Sequence, residues 1–470
     1  MKHRRNLGLW LDRNANVWYN GKNTFYIRRN RMKKLWIFLL LILCLTVLSV
    51  SCGGGVDTTL SADPTMPAVT TTSPAQTMTV ALTEDIPTPE EIAANPYAAA
   101  GLELTLKVCE QYYDLNTHTL ATSLTNRGAT TVWPLAAYIE MLAEAYRLYP
   151  DNETVRTYYV DALDNCLKMH QVDNATIRPP SGKMFRRITY YNAGPNWQGD
   201  FYYDDNAWIC IQLIDAYQQL GNETYLTLAE KVLEFMWTGW DETYGGIYWD
   251  KTFSGKGICC NGPVCVAYLA AYQLTENPVY LERAEMIYEW CNKMLRNRDG
   301  LYNAGIKDIT ATEYDANNLD PWIAAYDQGT MMTSMALFYE ITGDKAYYDA
   351  MSQTSRAASG LMFDGSTKMK GNPIFKSWCV GWIVRGEMSV YAGNCTMASK
   401  RFMMYLENVV KKVLETKDEN GHYDPFFLSG EWWPPAEDPD ADYFDHDAMQ
   451  PSGVATVLLL LAHYQLYQQN

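Results

Sequence analysis

Histidine is scarce in this sequence, and no motif for a metal or a nucleotide is present. Only six histidines occur among the 470 residues, and no spacing of cysteine and histidine has the character of a zinc site. No glycine-rich fingerprint for a dinucleotide or a phosphate group occurs either. We therefore expect no cofactor and no metal ion. Sugar epimerisation, which would need paired histidines in one cavity, is disfavoured.

Positive charge is also scarce once the first residues are set aside. Residues 1–51 carry ten Lys or Arg and one Asp, so removing them takes the formal net charge from −16 to −25. A surface this acidic repels nucleic acid and anionic lipid. It permits a neutral ligand such as an uncharged glycan. Aromatic side chains are plentiful, and although most should lie in the core, some can hold the apolar faces of sugars.

The first hundred residues contain little that could form a core. Lys33 and Lys34 precede an apolar run over 35–50, which is the pattern of a secretory signal. The run is short for a membrane span of about 20 residues, and a retained anchor helix is the alternative. Cys52, followed by three glycines, resembles a bacterial lipoprotein site. We expect lipidation at Cys52.

These features predict three parts of the chain. Residues 1–52 are an N-terminal extension with the signal and lipoprotein segment, 53–95 are a Thr- and Pro-rich flexible linker, and 96–470 are the folded domain. We expect an exported monomer that is attached to a bacterial membrane only through its N-terminal lipid. The nine cysteines that remain after Cys44 and Cys52 are expected to be small buried hydrophobic residues rather than a disulfide framework.

Helical periodicity recurs from residue 96 to the C-terminus. Tight joints at 149–153, 220–226, 274–281 and 341–347 carry Gly, Asn or Pro at a helix end, followed by a capping Asn, Asp or Thr. Such joints make antiparallel neighbours. We predict an all-α fold, an (α/α)6 barrel of six helical hairpins, with an open α-solenoid as the alternative. The predicted helices are 98–113, 131–149, 153–169, 204–220, 224–238, 262–275, 279–295, 322–342, 344–358, 379–391, 397–414 and 451–467.

Two adjacent carboxylates, Asp204 and Asp205, stand where a long loop meets the fourth predicted helix. They could serve only as a helix cap and a first-turn acid. Their neighbours Tyr203, Asn206 and Trp208 favour a sugar site instead. Glycoside hydrolysis needs one acid to protonate the leaving oxygen and one carboxylate at the anomeric carbon. A separation of about 5 Å, which neighbours in a non-helical turn can reach, gives retention of configuration.

The segment 203–208, Tyr-Asp-Asp-Asn-Ala-Trp, resembles the catalytic segment of family 76 of the glycoside hydrolases, the bacterial endo-α-1,6-mannanases and their fungal cell-wall relatives. The resemblance covers 97–470 and implies a retaining, endo-acting enzyme on α-mannan, with Asp204 as nucleophile and Asp205 as general acid/base. Further segments agree with the family in order along the chain: Trp240 to Trp249 with its Gly-Gly loop, Cys260-Asn261-Gly262-Pro263, Tyr326-Asp327-Gln328-Gly329-Thr330 and Gln450 to Ala455.

The same resemblance implies a set of substrate-binding residues, although packing and helix capping are open alternatives for several of them. Asp327 departs from the family, which usually has Asn there. That change predicts altered substrate choice, a shifted pH optimum, lost activity or a tolerated cap substitution. The competing functions are another (α/α)6 carbohydrate-active enzyme and a glycan-binding protein without turnover. The expected substrate-binding residues are Tyr203, Asn206, Trp208, Tyr244, Gly245, Gly246, Trp249, Asn261, Tyr326, Asp327 and Gln328.

Overall fold

The structure is a computed structural model that describes residues 87–196, 198–365, 369–370, 376–392, 397–419, 421–424, 428 and 447–467. The secretory signal, Cys52 and most of the predicted linker lie outside these residues. Within them, no helix combines the length and the apolar character that crossing a membrane requires. The last part of the predicted linker is helical, because Thr88 and Glu91 form a reciprocal capping box that starts a helix at Pro89.

The described residues are mainly α-helical, and short antiparallel strands lie in the loops. The strands are β1 (Tyr113–Asp114), β2 (Thr119–Leu120), β3 (Gln171–Ile177), β4 (Phe185–Tyr191), β5 (Lys256–Gly257) and β6 (Gly305–Ile306). The helices are α1 (Pro89–Ala94), α2 (Pro96–Tyr112), α3 (Val132–Leu148), α4 (Glu153–Asp161), α5 (Tyr203–Leu220), α6 (Glu223–Trp237), α7 (Ile258–Thr275), α8 (Pro278–Met294), α9 (Ala325–Thr342), α10 (Lys345–Met362), α11 (Ser377–Ala392), α12 (Met397–Leu414) and α13 (Met449–Tyr467).

Within the described part of the chain, six inner helices form a closed ring. Each inner helix packs against the next one in the order α3, α5, α7, α9, α11 and α13, and α13 packs back against α3. An outer layer of α2, α4, α6, α8, α10 and α12 surrounds the ring. This arrangement is the predicted (α/α)6 barrel. Because α7, α9 and α13 are enclosed on all sides, they carry apolar residues around their whole circumference instead of along one stripe.

Five of the six inner helices are followed in the sequence by the outer helix against which they pack. The predicted joints are confirmed: Gly221 and Gly343 adopt the left-handed conformation, with φ of 67° and 69°, and Asn222 and Asp344 cap the next helix. The sixth pair is made differently. The last inner helix, α13, packs against α2 at the other end of the sequence. The barrel is therefore closed by the two ends of the folded chain.

Close contact between inner helices depends on glycine at two crossings. A Cβ atom at Gly329 of α9 would overlap the backbone carbonyl of Trp382 in α11, and one at Gly453 of α13 would overlap the backbone nitrogen of Trp378. Only a residue without a side chain allows these backbones to approach so closely.

Charged side chains cross the interior of the ring. Arg385 of α11 pairs with Glu140 and Glu144 of α3, each at 2.9 Å, although α13 separates these helices in the ring. Arg147 of α3 continues the network to Asp215 of α5 at 2.7 Å. Each of these buried charges has an opposite charge as its partner, which removes most of the penalty for burying it.

The largest departure from the predicted helices lies between 153 and 191. The predicted helix 153–169 is regular only to Asp161, then continues as a π-helical turn over Ala162–Cys166 and a 3-10 turn over Leu167–His170. It leads into an antiparallel hairpin of β3 and β4, which the sequence analysis did not predict. Except for Cys259, which is half-buried, the described cysteines are buried, and no disulfide joins them.

Candidate active site

Along the chain from α3 to α9, each inner helix is followed by a tight joint and an outer helix, and a longer loop then leads to the next inner helix, so these inner helices begin at the same end of the barrel. The acid pair lies at this end, at the second and third residues of α5. The two aspartates therefore lie within the first helical turn, as the predicted helix 204–220 implied, and not in the non-helical turn that can bring neighbouring carboxyl groups to about 5 Å. Adjacent helical residues point about 100° apart, so helix geometry alone does not make these carboxyl groups converge.

Asp204 and Asp205 have different surroundings. The indole nitrogen of Trp249 donates a hydrogen bond to Asp204 Oδ2 at 3.0 Å, and the backbone nitrogen of Asp205 donates to Asp204 Oδ1 at 3.0 Å. No hydrogen bond to the Asp205 carboxyl is present among the described residues. Trp249 is itself held in place, because its carbonyl accepts a hydrogen bond from the backbone nitrogen of Tyr203 at 2.8 Å.

Because of these surroundings, the two carboxyl groups differ in pKa. Burial raises the pKa of Asp204 to about 7, although the indole of Trp249 and the backbone donors act in the opposite direction. Burial raises the pKa of Asp205 well above its ordinary value, and the neighbouring charge of Asp204 raises it further. Asp204 therefore ionises first, and its charge keeps the proton on Asp205. One carboxylate beside one carboxylic acid is the combination that glycoside hydrolysis requires.

A third carboxyl group, Asp327, lies close enough to interact electrostatically with Asp204. Asp327 is the third residue of α9, the position that Asp205 occupies in α5. Its side chain is fully buried, and neither carboxyl oxygen has a hydrogen-bond partner among the described residues. Burial, and then the charge of Asp204, raise the pKa of Asp327 well above its ordinary value. Asp327 is therefore a neutral carboxylic acid when Asp204 is ionised.

Three buried amide side chains hold the loops around the acid pair. They are the fourth residues of three inner helices: Asn206 in α5, Asn261 in α7 and Gln328 in α9. Each amide binds both the N–H and the C=O of one residue in the preceding loop, and also the carbonyl four residues before itself. We call these three side chains the amide clamps.

The amide clamps use the same three hydrogen bonds each time. In each clamp the amide oxygen accepts from the loop N–H, and the amide nitrogen donates to the loop carbonyl and to a carbonyl of its own helix start. For Asn206 these three distances are 2.7 and 2.9 Å to Tyr191 and 2.8 Å to Tyr202. For Asn261 they are 2.7 and 3.0 Å to Ile247 and 2.8 Å to Gly257. For Gln328 they are 2.8 and 2.9 Å to Tyr302 and 2.9 Å to Ala324.

The structure therefore corrects the role expected for Asn206, Asn261 and Gln328. All three are fully buried, and both polar atoms of each amide are occupied by the backbone. They position the loops and do not present an amide to a sugar. Asn261 also does not open its helix, because α7 begins at Ile258, four residues before the predicted start.

Three of the expected aromatic ligands are likewise buried. Tyr203 is fully buried and its hydroxyl is 3.0 Å from the hydroxyl of Thr238. Trp208 and Tyr326 keep 3% and 7% of their surface exposed and pack with Trp378 in one aromatic cluster. These rings are therefore packed in the interior and are not open stacking platforms.

The loop over 241–249 provides the exposed aromatic surface. Tyr244 is 38% exposed, whereas Trp249 is half-buried beside Asp204. Gly245 and Gly246 have φ of 74° and 80°, and a Cβ atom at either would lie 2.6 Å from the ring of Trp290. Both glycines are therefore required by backbone conformation and by packing.

Sequence reasoning missed the ion pair behind this loop. Asp241 accepts hydrogen bonds from the backbone of Thr243 and Tyr244, from the hydroxyl of Tyr248 at 2.7 Å and from the ammonium of Lys256 at 2.7 Å. Lys256 has no exposed surface. The pair fixes the turn that carries Tyr244. Asp241 lies within the segment 240–249 that resembles family 76, but no sequence motif includes Lys256.

Fold and site together define a class of protein: an (α/α)6 barrel with an acidic pair and aromatic side chains at one end, as in barrel enzymes that act on carbohydrates. The family model for glycosyl hydrolase family 76 matches residues 98–423. That match is more than half of the chain, so the chain belongs to this family.

Similar proteins come from fungi and bacteria. Mannan endo-1,6-alpha-mannosidase DCW1 of Saccharomyces cerevisiae is 25% identical over 150 residues, which are 30% of this chain and 33% of that protein. Meiotically up-regulated gene 191 protein of Schizosaccharomyces pombe is 20% identical over 322 residues, 61% of this chain and 66% of that protein. The chain thus matches about a third of the yeast mannosidase and just under two thirds of the fission-yeast protein.

Solved structures share the fold. A family 76 glycoside hydrolase from a bovine Bacteroides thetaiotaomicron strain has a TM-score of 0.65 at 18% identity, covering 80% of this chain and 79% of that one. An inactive α-1,6-mannanase variant of Salegentibacter sp. HEL1_6, bound to α-1,6-mannotriose, has a TM-score of 0.58 at 16% identity, covering 78% and 99%. D-mannose isomerase has a TM-score of 0.55 at 12% identity, covering 82% and 100%.

The amide clamps can be tested at Asn261. In Asn261→Leu a side chain of similar size loses all three hydrogen bonds, which leaves the buried N–H of Ile247 without a partner and its C=O with only the weak thiol donor of Cys260 at 3.4 Å. We expect the free energy of unfolding to fall by about 2–4 kcal/mol. Urea unfolding followed by circular dichroism measures it. The control Asn222→Ala removes an exposed helix cap and should cost about 1 kcal/mol. Equal losses in the two variants would contradict the role of the clamp.

The hydrogen bond from Trp249 to Asp204 can be tested through the pH profile. Trp249→Phe keeps an aromatic ring but removes the N–H that favours the ionised carboxyl, so the pKa of Asp204 should rise. The acid limb of kcat/KM should then move to higher pH by about 0.5–1 unit. Trp237→Phe, which lies away from Asp204, is the control and should leave the limb in place. An unchanged limb in Trp249→Phe would refute the assignment.

The neutral state of Asp327 can be tested with Asp327→Asn. A protonated carboxyl and an amide have nearly the same shape, and each offers a donor and an acceptor. We expect kcat/KM at neutral pH to stay within about threefold of the unmodified protein, because no buried charge is removed. Asp327→Ala, which leaves a cavity, should be less stable than Asp327→Asn. A hundredfold loss in the Asn variant would show that the reaction needs an ionised carboxylate at this position.

Proposed function

We propose that this protein is a retaining, endo-acting glycoside hydrolase that cleaves the α-1,6-linked backbone of mannan. Asp204 is the nucleophile, and Asp205 is the general acid/base. The observation that carries the proposal is the unequal environment of the adjacent acids at the open end of the barrel. Asp204 receives two N–H donors that favour its charge, whereas the Asp205 carboxyl receives none among the described residues.

The chemistry follows from this difference. Asp205 gives its proton to the oxygen of the scissile bond, so the leaving sugar departs as an alcohol. Asp204 attacks the anomeric carbon and forms a covalent glycosyl ester. Asp205, now a carboxylate, takes a proton from water, which attacks the ester and frees Asp204. Each turnover consumes one water molecule and leaves both carboxyl groups in their starting states.

The substrate class is supported by the similar proteins. The yeast relative is named an endo-1,6-α-mannosidase, and the Salegentibacter mannanase was solved with α-1,6-mannotriose in a variant in which two aspartates at consecutive positions are replaced by asparagine. Asp204 and Asp205 are the consecutive aspartates that open α5 in this chain. Tyr244, which is exposed in the loop that leads to Trp249, offers a ring on which a sugar can stack.

The proposal extends to the location of the enzyme. The signal-like segment and Cys52 support export and attachment to a bacterial membrane by lipid, with the barrel at the end of a Thr- and Pro-rich linker. A monomer tethered in this way can reach a polysaccharide without any other contact with the membrane.

Other functions of the same fold make different demands on the site. A glycan-binding protein needs no acid pair with divided acidity, although the buried Asp327 keeps this alternative open. D-mannose isomerase shares the fold, and isomerisation would release no reducing ends. Both alternatives are distinguished from hydrolysis by the products.

The decisive experiment incubates the purified protein with linear α-1,6-mannan and follows reducing ends and product size. We expect short oligosaccharides from the unmodified protein and a loss of about a thousandfold or more in kcat for Asp204→Asn and Asp205→Asn. Asp151→Asn, an exposed aspartate in a helix joint, is the control and should keep full activity. Proton NMR of the first products should show the α-anomer.

The outcomes separate the alternatives. Binding of mannan without products from the unmodified protein would favour a glycan-binding protein. A β-anomer formed first would contradict Asp204 as a nucleophile and indicate inversion. Neither products nor binding would mean that the substrate class is wrong.

A further inference from the structure

The hairpin of β3 and β4 carries a concentrated positive charge. Its turn and the start of β4, residues 178–187, contain Arg178, Lys183, Arg186 and Arg187 and no acidic residue. All four cationic side chains are exposed. We call this set the basic hairpin.

The basic hairpin contrasts with the rest of the chain. Beyond residue 51 the formal charge is −25, so a run of ten residues with a net charge of +4 is a local reversal. Lys183 pairs with Glu242 at 3.0 Å. The three arginines form no ion pair in the part of the chain that the structure describes. Their charge is therefore available to a ligand.

The backbone of the hairpin is shaped to present the arginines side by side. Arg187 has a φ of 60°, a conformation uncommon for a residue with a side chain. It lies unpaired between Arg186 and Ile188, which pair with consecutive residues of β3. Such a bulge breaks the alternation of side chains along a strand, and Arg186 and Arg187 are both exposed although they are neighbours. Strain of this kind is concentrated at functional sites.

The basic hairpin borders the acid pair. At its base, Tyr191 of β4 is bound by the amide clamp of Asn206, one residue after Asp205. At its tip, the ion pair between Lys183 and Glu242 connects it to the loop that carries Tyr244. Arg187 is four residues from Tyr191, which is about 13 Å along a strand. One strand and one amide clamp therefore connect Arg187 to the residue that follows the acid pair.

We propose that the basic hairpin is a binding surface for anionic groups, phosphate or carboxylate, carried by the glycan a few units from the bond that is cleaved. Arginine suits this role because its planar guanidinium binds two oxygens of a phosphate or carboxylate at once. Two adjacent arginines match a group with several charged oxygens. The inference rests on the proposed mannan hydrolysis and adds a preference for a charged form of that substrate.

The acidic character of the whole chain does not oppose such a contact. At an ionic strength of 0.1 M the Debye length is about 10 Å, so charges on distant faces of the barrel are screened. The local field of the basic hairpin then governs the ligand that lies against it. The attraction should weaken as salt is added.

The test compares linear α-1,6-mannan with the same mannan after chemical phosphorylation and, separately, after carboxymethylation. For the unmodified protein we expect kcat/KM on the phosphorylated mannan to exceed that on neutral mannan about tenfold at about 100 mM NaCl, mainly through KM, and the ratio to approach one at about 1 M. The double variant R186Q/R187Q should lose the preference and keep its activity on neutral mannan. The control R156Q/R356Q removes two exposed arginines from outer helices and should keep the preference.

The outcomes distinguish this inference from the proposed function. Equal kcat/KM on neutral and charged mannans, with good turnover of both, would overturn the inference and leave the hydrolase intact. If neither mannan is cleaved, isothermal titration calorimetry compares the Kd of the charged and neutral mannans. Tighter binding of the charged form is expected, and equal Kd values would overturn the inference. A preference for carboxymethylated over phosphorylated mannan identifies the carboxylate as the ligand. Binding to vesicles of phosphatidylglycerol that R186Q/R187Q abolishes, without any preference among mannans, would overturn the inference in favour of a membrane surface.

Discussion

The amide clamps are the interaction on which the open end of the barrel depends. A long loop contains backbone groups that neither a helix nor a sheet satisfies, and burying them unpaired costs about 1–3 kcal/mol each. Asn206, Asn261 and Gln328 solve this problem in the same way, each from the fourth position of an inner helix. Each clamp also sets the register between its loop and its helix. The acid pair and Trp249 meet because two clamps hold two separate loops against the first turns of α5 and α7.

Three buried carboxyl groups at the end of the barrel that carries the acid pair have lost their ordinary acidity. Burial raises the pKa of Asp204, Asp205 and Asp327 alike. Among the residues that the structure describes, Asp204 alone of the three has hydrogen-bond donors that favour its charge, from the indole of Trp249 and the backbone of Asp205. Once Asp204 is ionised, its charge disfavours ionisation of the other two. The donors to Asp204 thus determine the protonation of the whole group.

Local signals in the sequence predicted the helices, the joints and the acid pair, because periodicity, capping residues and adjacent carboxylates are all visible within a few residues. The roles of Asn261 and Gln328 could not be derived in this way. Their partners, Ile247 and Tyr302, lie 14 and 26 residues away, and no local pattern in the sequence links either amide to its partner. The β3–β4 hairpin was missed for a related reason: it is short and bulged, and it lacks the strict alternation by which strands are recognised.

The pairing of α2 with α13 has a consequence for how the protein is made. The ring is complete only when α13 lies between α11 and α3, and α13 spans Met449–Tyr467, near the end of the chain. Until those residues leave the ribosome, α3 and α11 each present an apolar face that has no neighbour. The nascent protein is therefore an open arc of hairpins until α13 has been synthesised. Since an incomplete ring lacks its full core, the barrel and its active site form only after α13 has left the ribosome.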